Sequence, residues 1–185
     1  LEYKDFSIYT LVWLSIKQRK YEEALLIIKK FESKISANKL KNKLHYLKYF
    51  SFLKLKKSNT LTFSLLRQGV DQFPYNFEHL VRLAENYYIA KRWQDLSDLI
   101  TLQSSKSSFY NDSRMEYFYW LGVVAEIELN KLNKARTKLL FLEKLGVRNT
   151  DKLALAFFRI YLKERNFENA WIKWTEMKDD TLREQ

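Results

Sequence analysis

Side chains able to do acid–base or metal chemistry are few and scattered along this chain. Among its 185 residues there are two histidines, His45 and His79, and no cysteine. Adjacent carboxylates occur at 22–23 and 179–180, and the serines at 103–108 have no histidine close in sequence. A zinc site needs closely spaced His or Cys ligands, and a phosphate-cradling loop needs glycines near one another, whereas the three glycines here lie far apart. The sequence therefore predicts no catalytic, metal or cofactor site, and the chain is expected not to be an enzyme.

The composition favours an all-helical fold. Three glycines and one proline leave few positions for the tight turns of a hairpin-rich sheet. Hydrophobic residues make up 46% and charged residues 30% of the chain, which is typical of a folded domain. The longest uninterrupted apolar run, at 117–125, is far shorter than the roughly 18 residues that a membrane-spanning helix needs.

Apolar residues recur at helical spacing throughout. Leu80, Leu83, Ala84 and Tyr87 share one helical face, and no comparable stretch alternates with the period of two that strands show. Two to four residues connect most helices in pairs, which makes the paired helices antiparallel neighbours. The polar stretch 103–113 is expected to be a flexible loop. The predicted helices are 5–17, 21–36, 40–56, 60–73, 76–90, 93–103, 113–130, 132–145, 150–163 and 167–179.

The predicted hairpins resemble one another. The segments LVWLSIKQRKYEEA (11–24), LAENYYIAKRWQDL (83–96) and FFRIYLKERNFENA (157–170) each contain an apolar pair, a basic turn, an aromatic residue and a small or apolar closing residue. The closing positions are 38, 34, 39 and 35 residues apart along the chain. They are Ala24, Thr62, Leu96, Ala135 and Ala170.

This pattern resembles the tetratricopeptide repeat (TPR) family, an array of 34-residue helical hairpins. Leu121-Gly122 stands at the family's Leu-Gly pair, Tyr87 and Tyr161 at its first-helix tyrosine, and Pro74 at its end-of-repeat proline. The other repeats replace the glycine by Val12, Ala84 or Phe158, and the segment 121–139 is nearly as similar to the half-a-TPR repeats of RNA-processing scaffolds. The resemblance implies an all-α solenoid of about five hairpins, at 5–36, 40–73, 76–103, 113–145 and 150–180, in a single domain 1–185.

TPR-like arrays often bind partner segments on the concave surface formed by their first helices. Carried over position by position, this implies an aromatic and aliphatic surface suited to an apolar helix or an extended segment. The alternative is that several of these aromatic side chains are buried between hairpins. The lining residues are Tyr9, Trp13, Ile16, Arg82, Glu85, Tyr88, Tyr119, Trp120, Val123, Arg159 and Lys163, with Tyr46 and Tyr49 as weaker candidates.

Basic residues recur at the predicted turns of a chain whose formal net charge is +11. Hairpins stacked in register would align them along one edge. They either solubilise exposed turns or form a docking edge for an acidic protein, a phosphate backbone or anionic lipid headgroups. The residues of this basic edge are Lys17, Arg19, Lys20, Lys54, Lys56, Lys57, Lys91, Arg92, Lys131, Lys134 and Arg165.

Together these patterns predict a non-catalytic scaffold that binds another protein. The alternative is direct binding of RNA or DNA through the basic surface.

The aromatic residues after three turns, Tyr21, Trp93 and Phe167, are expected to pack back across their own hairpins. The first helix is apolar on nearly all sides and the last carries Trp171. The chain, which starts at Leu1, is therefore expected to be a piece of a longer array or to have an end covered by a partner or a second copy. The residues leave the compartment open between the cytoplasm and a bacterial cell envelope, and a membrane-tethered domain of the envelope is the preferred expectation.

Overall fold

A computed structural model of the chain describes residues 2–74, 76–104, 114–146 and 150–179. These residues form ten α-helices and one short 3-10 helix, and no strand occurs among them. The all-α, hairpin-based fold of the α-solenoid class is confirmed, and the predicted helix ends agree with the observed ones to within a few residues. The helices are α1 (Glu2–Lys17), α2 (Tyr21–Phe31), the 3-10 turn (Glu32–Lys34), α3 (Asn38–Lys54), α4 (Asn59–Gln72), α5 (Phe77–Ile89), α6 (Trp93–Ser104), α7 (Met115–Glu128), α8 (Leu132–Lys144), α9 (Thr150–Lys163) and α10 (Phe167–Glu176).

The chain divides into two compact units, unit 1 (Leu1–Leu83) and unit 2 (Ala84–Gln185), and the boundary falls within α5. In unit 1, α1 contacts α2 and α3, and α3 also contacts α2 and α4. In unit 2, α7 contacts α6, α8 and α9, and α9 contacts α8 and α10. Inside each unit, therefore, both helices of one antiparallel hairpin pack against the first helix of the next, as expected for such repeats.

Five turns between paired helices share one backbone conformation. In each, a residue with positive φ follows the first helix: Arg19, Lys56, Lys91, Asn130 and Arg165, with φ between 51° and 61°. The amide of the next residue donates back to a carbonyl near the helix end, as Lys20 does to Ser15 at 2.8 Å. This is the Schellman arrangement, in which glycine is the usual residue at the left-handed position. The predicted basic turns are thus helix ends of a single type, and they give an accurate register for comparing the repeats.

Small closing residues let the two helices of a hairpin approach closely. Ala24 lies in the core of unit 1 with Ile8, Val12, Ile28 and Leu44, and it is fully buried. Ala135 and Ala170 are buried in the same way in unit 2. Since a larger side chain there would separate the helices, the small-residue positions in the sequence mark the places of closest helix contact.

A polar side chain fourteen residues before the left-handed position closes three of the hairpins. Asp5 accepts hydrogen bonds at its Oδ2 from the amides of Ser36 and Ala37, at 3.0 and 3.1 Å, just after the second helix of its hairpin. Asp151 accepts in the same way from the amides of Lys178 and Asp179. In the second hairpin the corresponding residue is Asn42, which accepts from the side chain of Asn76.

The aromatic residues after the turns do not all have the predicted environment. Trp93 packs edge-on against Tyr88 of its own hairpin, with ring centres 5.7 Å apart, as predicted. Tyr21 instead contacts Phe50 of α3, at 6.3 Å. Phe167 is 67% exposed, so the prediction was wrong there. The difference has a simple cause, because the following hairpin covers Tyr21 and no described helix follows α10 to cover Phe167.

Exposed apolar side chains are found on the first and last helices of the chain, as the sequence indicates. On α1 these are Phe6, Leu11, Trp13 and Leu14, and on α10 they include Trp171 and Ile172. The predicted flexible loop lies outside the described residues from position 105 on, as do residues 147–149 between the fourth and fifth hairpins and residue 180 at the end of the last repeat. Of the helices in the described ranges, none combines the length and apolar character needed to cross a bilayer.

Candidate protein-interaction surface

A surface of aromatic rings and lysines lies on the first helices of the hairpins in unit 1. Trp13 is 40% exposed and Phe6 60% exposed, while Tyr9 lies half-buried between them. We call this the aromatic–lysine surface, and it consists of Phe6, Tyr9, Trp13, Lys17, Lys43 and Tyr46.

The spacing of residues in α1 and α3 produces this surface. Tyr9, Trp13 and Lys17 are four residues apart, so they form one stripe along α1. Ile8 and Val12 each stand one residue before the stripe, a little over a quarter of a turn away, and enter the core of unit 1, against which Tyr9 also packs. Lys43 and Tyr46 are three residues apart on α3, which packs against α1. The helix that carries the exposed rings is therefore fixed by its own buried face.

Two lysines lie over the exposed rings. The Lys17 ammonium is 5.1 Å from the centre of the Trp13 ring, and that of Lys43 is 5.3 Å from the centre of the Tyr9 ring. Such cation–π contacts at exposed positions contribute about 0.5–1 kcal/mol each. The two ammonium groups place positive charge beside the apolar rings. A partner segment could therefore pair a carboxylate with a lysine while its apolar side chains pack on the rings.

Polar contacts fix the edge of this surface toward α5. The phenol of Tyr46 donates to Oε1 of Glu78 at 3.0 Å, and Arg82 Nε donates to the same oxygen at 3.1 Å. Tyr46 also lies 6.1 Å from Tyr49 between ring centres. Of the predicted lining residues in unit 1, Tyr9 and Trp13 share one stripe of α1, Tyr46 and Ile16 are half-buried, and Arg82 is held in an ion pair.

Several predicted lining residues are core residues instead. Tyr119 and Val123 of α7 are buried, so neither can present its side chain to a partner. Tyr119 packs on Phe141 of α8, with ring centres 4.8 Å apart, and it stands eleven residues before the left-handed Asn130, as the buried Ile8 does before Arg19 in unit 1. The weaker candidate Tyr49 is buried as well. These three predictions were wrong.

The remaining predicted residues of unit 2 lie closer to solvent. Tyr88 and Lys163 are exposed, whereas Glu85, Trp120 and Arg159 are half-buried. Tyr88 is in contact with Trp93, so part of its ring already has a partner. The described first helices of unit 2 therefore carry no aromatic stripe like that of α1, although its last described helix, α10, exposes Phe167 and Trp171.

The residues of the basic edge are exposed, except for the half-buried Lys131. Within each unit, neighbouring turns approach one another. Lys131 Nζ donates to Gln94 Oε1 at 2.8 Å in unit 2, and Lys54 lies over the Phe50 ring that Tyr21 contacts in unit 1. Arg92 is also paired with Asp95 at 2.8 Å. Part of this positive charge is therefore engaged within the chain.

Sequence reasoning missed Lys43 and the buried polar residues. Lys43 stands three residues before Tyr46, a spacing that could have placed it beside the α1 stripe. His45, His79 and Glu126 were set aside or passed over, yet all three are buried. Their signal in the sequence is weak, because burial depends on how hairpins stack. In the described part of the chain, no group of three His, Cys, Asp or Glu side chains is placed to hold a metal ion.

Comparison with known proteins supports the fold. Neither a scan against models of protein families nor a search of curated proteins finds a match. Among solved structures, one of MamA, with the designation MSR-1 C2, shares 16% identity over 98% of this chain and 97% of its own, with a TM-score of 0.65. A structure of a MamA mutant shares 14% identity over 94% of this chain and 95% of its own, with a TM-score of 0.64. MamA is a TPR-like protein. At this identity the likeness shows the fold alone, a TPR-like succession of helical hairpins.

Proposed function

We propose that the chain is a non-catalytic protein-interaction scaffold that binds an acidic, partly apolar segment of another protein on the aromatic–lysine surface. The observation that carries this proposal is that the exposed Trp13 and the half-buried Tyr9 have lysine ammonium groups 5.1 and 5.3 Å from their ring centres. Exposed aromatic side chains of this kind anchor many protein interfaces. The TPR-like fold of the MamA structures supports the same class of function.

The chemistry of the surface selects for the charge of the partner. The chain has a formal net charge of +11, which attracts acidic segments over long range. At short range a carboxylate pairs with Lys17 or Lys43 while an adjacent apolar side chain covers the ring below. Tyr46 and Glu78 form a polar border, which resembles the hydrated rim of a protein interface.

A displayed peptide library selected against the full chain tests this proposal. Peptides that bind should combine acidic and apolar residues, and the double substitution Tyr9→Ala and Trp13→Ala should weaken their binding by about tenfold or more. Leu26→Ala is the matched control, since Leu26 is an exposed apolar residue of α2 in the same unit. Equal binding to all three proteins would contradict the proposal.

Charge-reversal variants distinguish binding of an acidic peptide from binding of nucleic acid. Lys17→Glu with Lys43→Glu should weaken the selected peptides at low salt, whereas Lys29→Glu on α2 should have little effect. Generic RNA is titrated in parallel at increasing salt. A steep salt dependence of RNA binding, together with peptides insensitive to Lys17 and Lys43, would favour the nucleic-acid alternative.

A further inference from the structure

The two histidines of the chain meet inside unit 1, where α3, α4 and α5 pack together. His45 Nδ1 is 3.1 Å from His79 Nε2, and both side chains are almost fully buried. Their ring centres are 5.2 Å apart, and the rings of Phe73 and Tyr46 enclose them. The aromatic walls exclude water, so any charge on the pair would be poorly solvated.

The hydrogen bonds of Asn76 fix the protonation of both rings. Its Oδ1 accepts from the amide of Glu78 at 3.0 Å, so its Nδ2 is the group that faces His79 Nδ1 and Asn42 Oδ1. A ring nitrogen facing an amide NH₂ must be an acceptor. His79 is therefore protonated at Nε2 and donates to His45 Nδ1, which makes His45 the same Nε2–H tautomer.

In this network Asn76 donates to His79 and His79 donates to His45. An additional proton on either ring would set two donors against each other. A proton on His79 would set Nδ1–H against the NH₂ of Asn76. A proton on His45 would set Nδ1–H against the Nε2–H of His79. Turning the Asn76 amide would relieve the first conflict, but it would break the bond to Glu78.

Helix α4 allows the rings no room to move away. A Cβ on Gly69 would lie 2.3 Å from His79 Cδ2 and 3.0 Å from His45 Cε1, so the α4 backbone sits directly on the pair. On the other side, Asn42 and Asn76 line a cleft of about 380 Å³ that is open to solvent. Protons can thus reach the network, although the packed rings cannot adapt to them.

We propose that the His45–His79 pair is an acid-sensitive lock, which holds α3, α4 and α5 together while both rings are neutral and releases them when the pair takes up a proton. Unit 2 contains no histidine. Acid should therefore loosen unit 1 at a pH where unit 2 keeps its packing.

The surrounding charges agree with this behaviour. Burial, and then the positive charge of His45, lower the pKa of His79 from 6.5 to about 4. Burial, and then Lys48, lower the pKa of His45, while the side chain of Gln68 and the carboxylate of Glu32 act in the opposite direction. Lys48 and Glu32 pair with each other at 2.8 Å, and Glu78 is bonded to Tyr46, so neither carboxylate is positioned to neutralise an imidazolium.

The direction of the pH effect follows from these pKa values. The unfolded chain binds protons below pH 6.5, whereas folded His79 does so only near pH 4, so acid favours unfolding between these values. From pH 7 to pH 4.5, His79 alone raises the unfolding constant roughly 50-fold. Asp5 titrates separately, because hydrogen bonds from Ala37 and Ser36 hold its pKa below the usual 3.8. Its stabilising effect is therefore lost only at lower pH.

Two measurements on the full chain test the lock. In ¹⁵N-resolved NMR spectra, both rings should show the Nε2–H tautomer at pH 7 and resist protonation down to about pH 5. Hydrogen exchange followed by mass spectrometry should show protection in α3, α4 and the start of α5 falling at least tenfold more than in α7–α9 between pH 7 and 4.5. Free titration of either ring near pH 6.5, or equal loss of protection in both units, would overturn the proposal.

A non-titrating variant provides an independent check. In His79→Gln the side-chain carbonyl can accept from Asn76 and the amide can donate to His45, but the residue at position 79 carries no titrating group. Protection in α3 and α4 should then depend much less on pH over the same range. If the variant folds poorly, the tautomer and titration of the natural protein still decide the question.

Discussion

The two units differ in the polar side chains that meet between their hairpins, although unit 1 also buries the carboxylate of Asp5. Unit 1 buries two neutral imidazoles, which an asparagine keeps uncharged. Unit 2 buries a charge: Glu126 is fully buried, accepts from Lys138 Nζ at 2.8 Å and from Ser97 Oγ at 2.9 Å, and so links α7 to α8 and α6. A neutral network is sensitive to added protons, whereas an ion pair is sensitive to the loss of one partner. Hairpins of similar architecture are therefore destabilised by different changes, by acid in unit 1 and by loss of the ion-pair partner in unit 2.

The largest loss of stability is expected when the buried Glu126 carboxylate of unit 2 loses its ion-pair partner, Lys138. Lys138→Met leaves the Glu126 carboxylate buried with only Ser97 as donor, and it should lower the free energy of unfolding by about 3–5 kcal/mol. Chemical denaturation followed by circular dichroism measures the change. Adding Glu126→Gln to this variant should restore part of the loss. A loss below 1 kcal/mol for Lys138→Met would show that the ion pair is not the feature that distinguishes unit 2.

An intermediate effect should distinguish the two helical glycines. Gly69→Ala places a Cβ 2.3 Å from a packed imidazole, and it should destabilise the protein by about 1–3 kcal/mol. Gly122→Ala is the matched control in unit 2, because its Cβ would come no closer than 3.0 Å to its nearest neighbour, a methyl group of the buried Ile100. Alanine is also the better helix former by about 1 kcal/mol, so this control should be nearly neutral. Denaturation midpoints that rank the variants in the opposite order would mean that α4 does not press on the histidines.

The smallest effect concerns the turns, in which the units are alike. Arg19→Gly in unit 1 removes a Cβ from a left-handed position with φ of 61° and should stabilise the protein by about 0.5 kcal/mol, after the entropy cost of glycine. Asn130→Gly in unit 2 should change little, because asparagine tolerates this conformation. Thermal unfolding of the two variants beside the natural chain measures the difference. A larger gain at Asn130 would contradict the shared geometry of the turns.

The sequence predicted the secondary structure well because its helices are amphipathic and its turns are short. The first-helix stripe of Tyr9 and Trp13 was also predictable, since spacing of four residues along one helix needs no tertiary information. The same reasoning failed for Tyr119 and Val123. Those residues stand eleven and seven residues before the left-handed Asn130, as the buried Ile8 and Val12 do before Arg19, so they belong to the core face of their helix. Aligning the repeats by residue type alone shifted the fourth hairpin by one position, and the register followed only from the conformation of the turns.

The sequence by itself determined the helical hairpins, their basic turns and the small residues where helices meet, because each follows from local spacing and residue size. Only the tertiary structure brought His45 to His79, 34 residues away, and Ser97 to Glu126, 29 residues away. It also decided which rings stay exposed beside lysines. Such pairs form when separate hairpins stack, and whether a buried group is neutral or charged is settled by the atoms that surround it there.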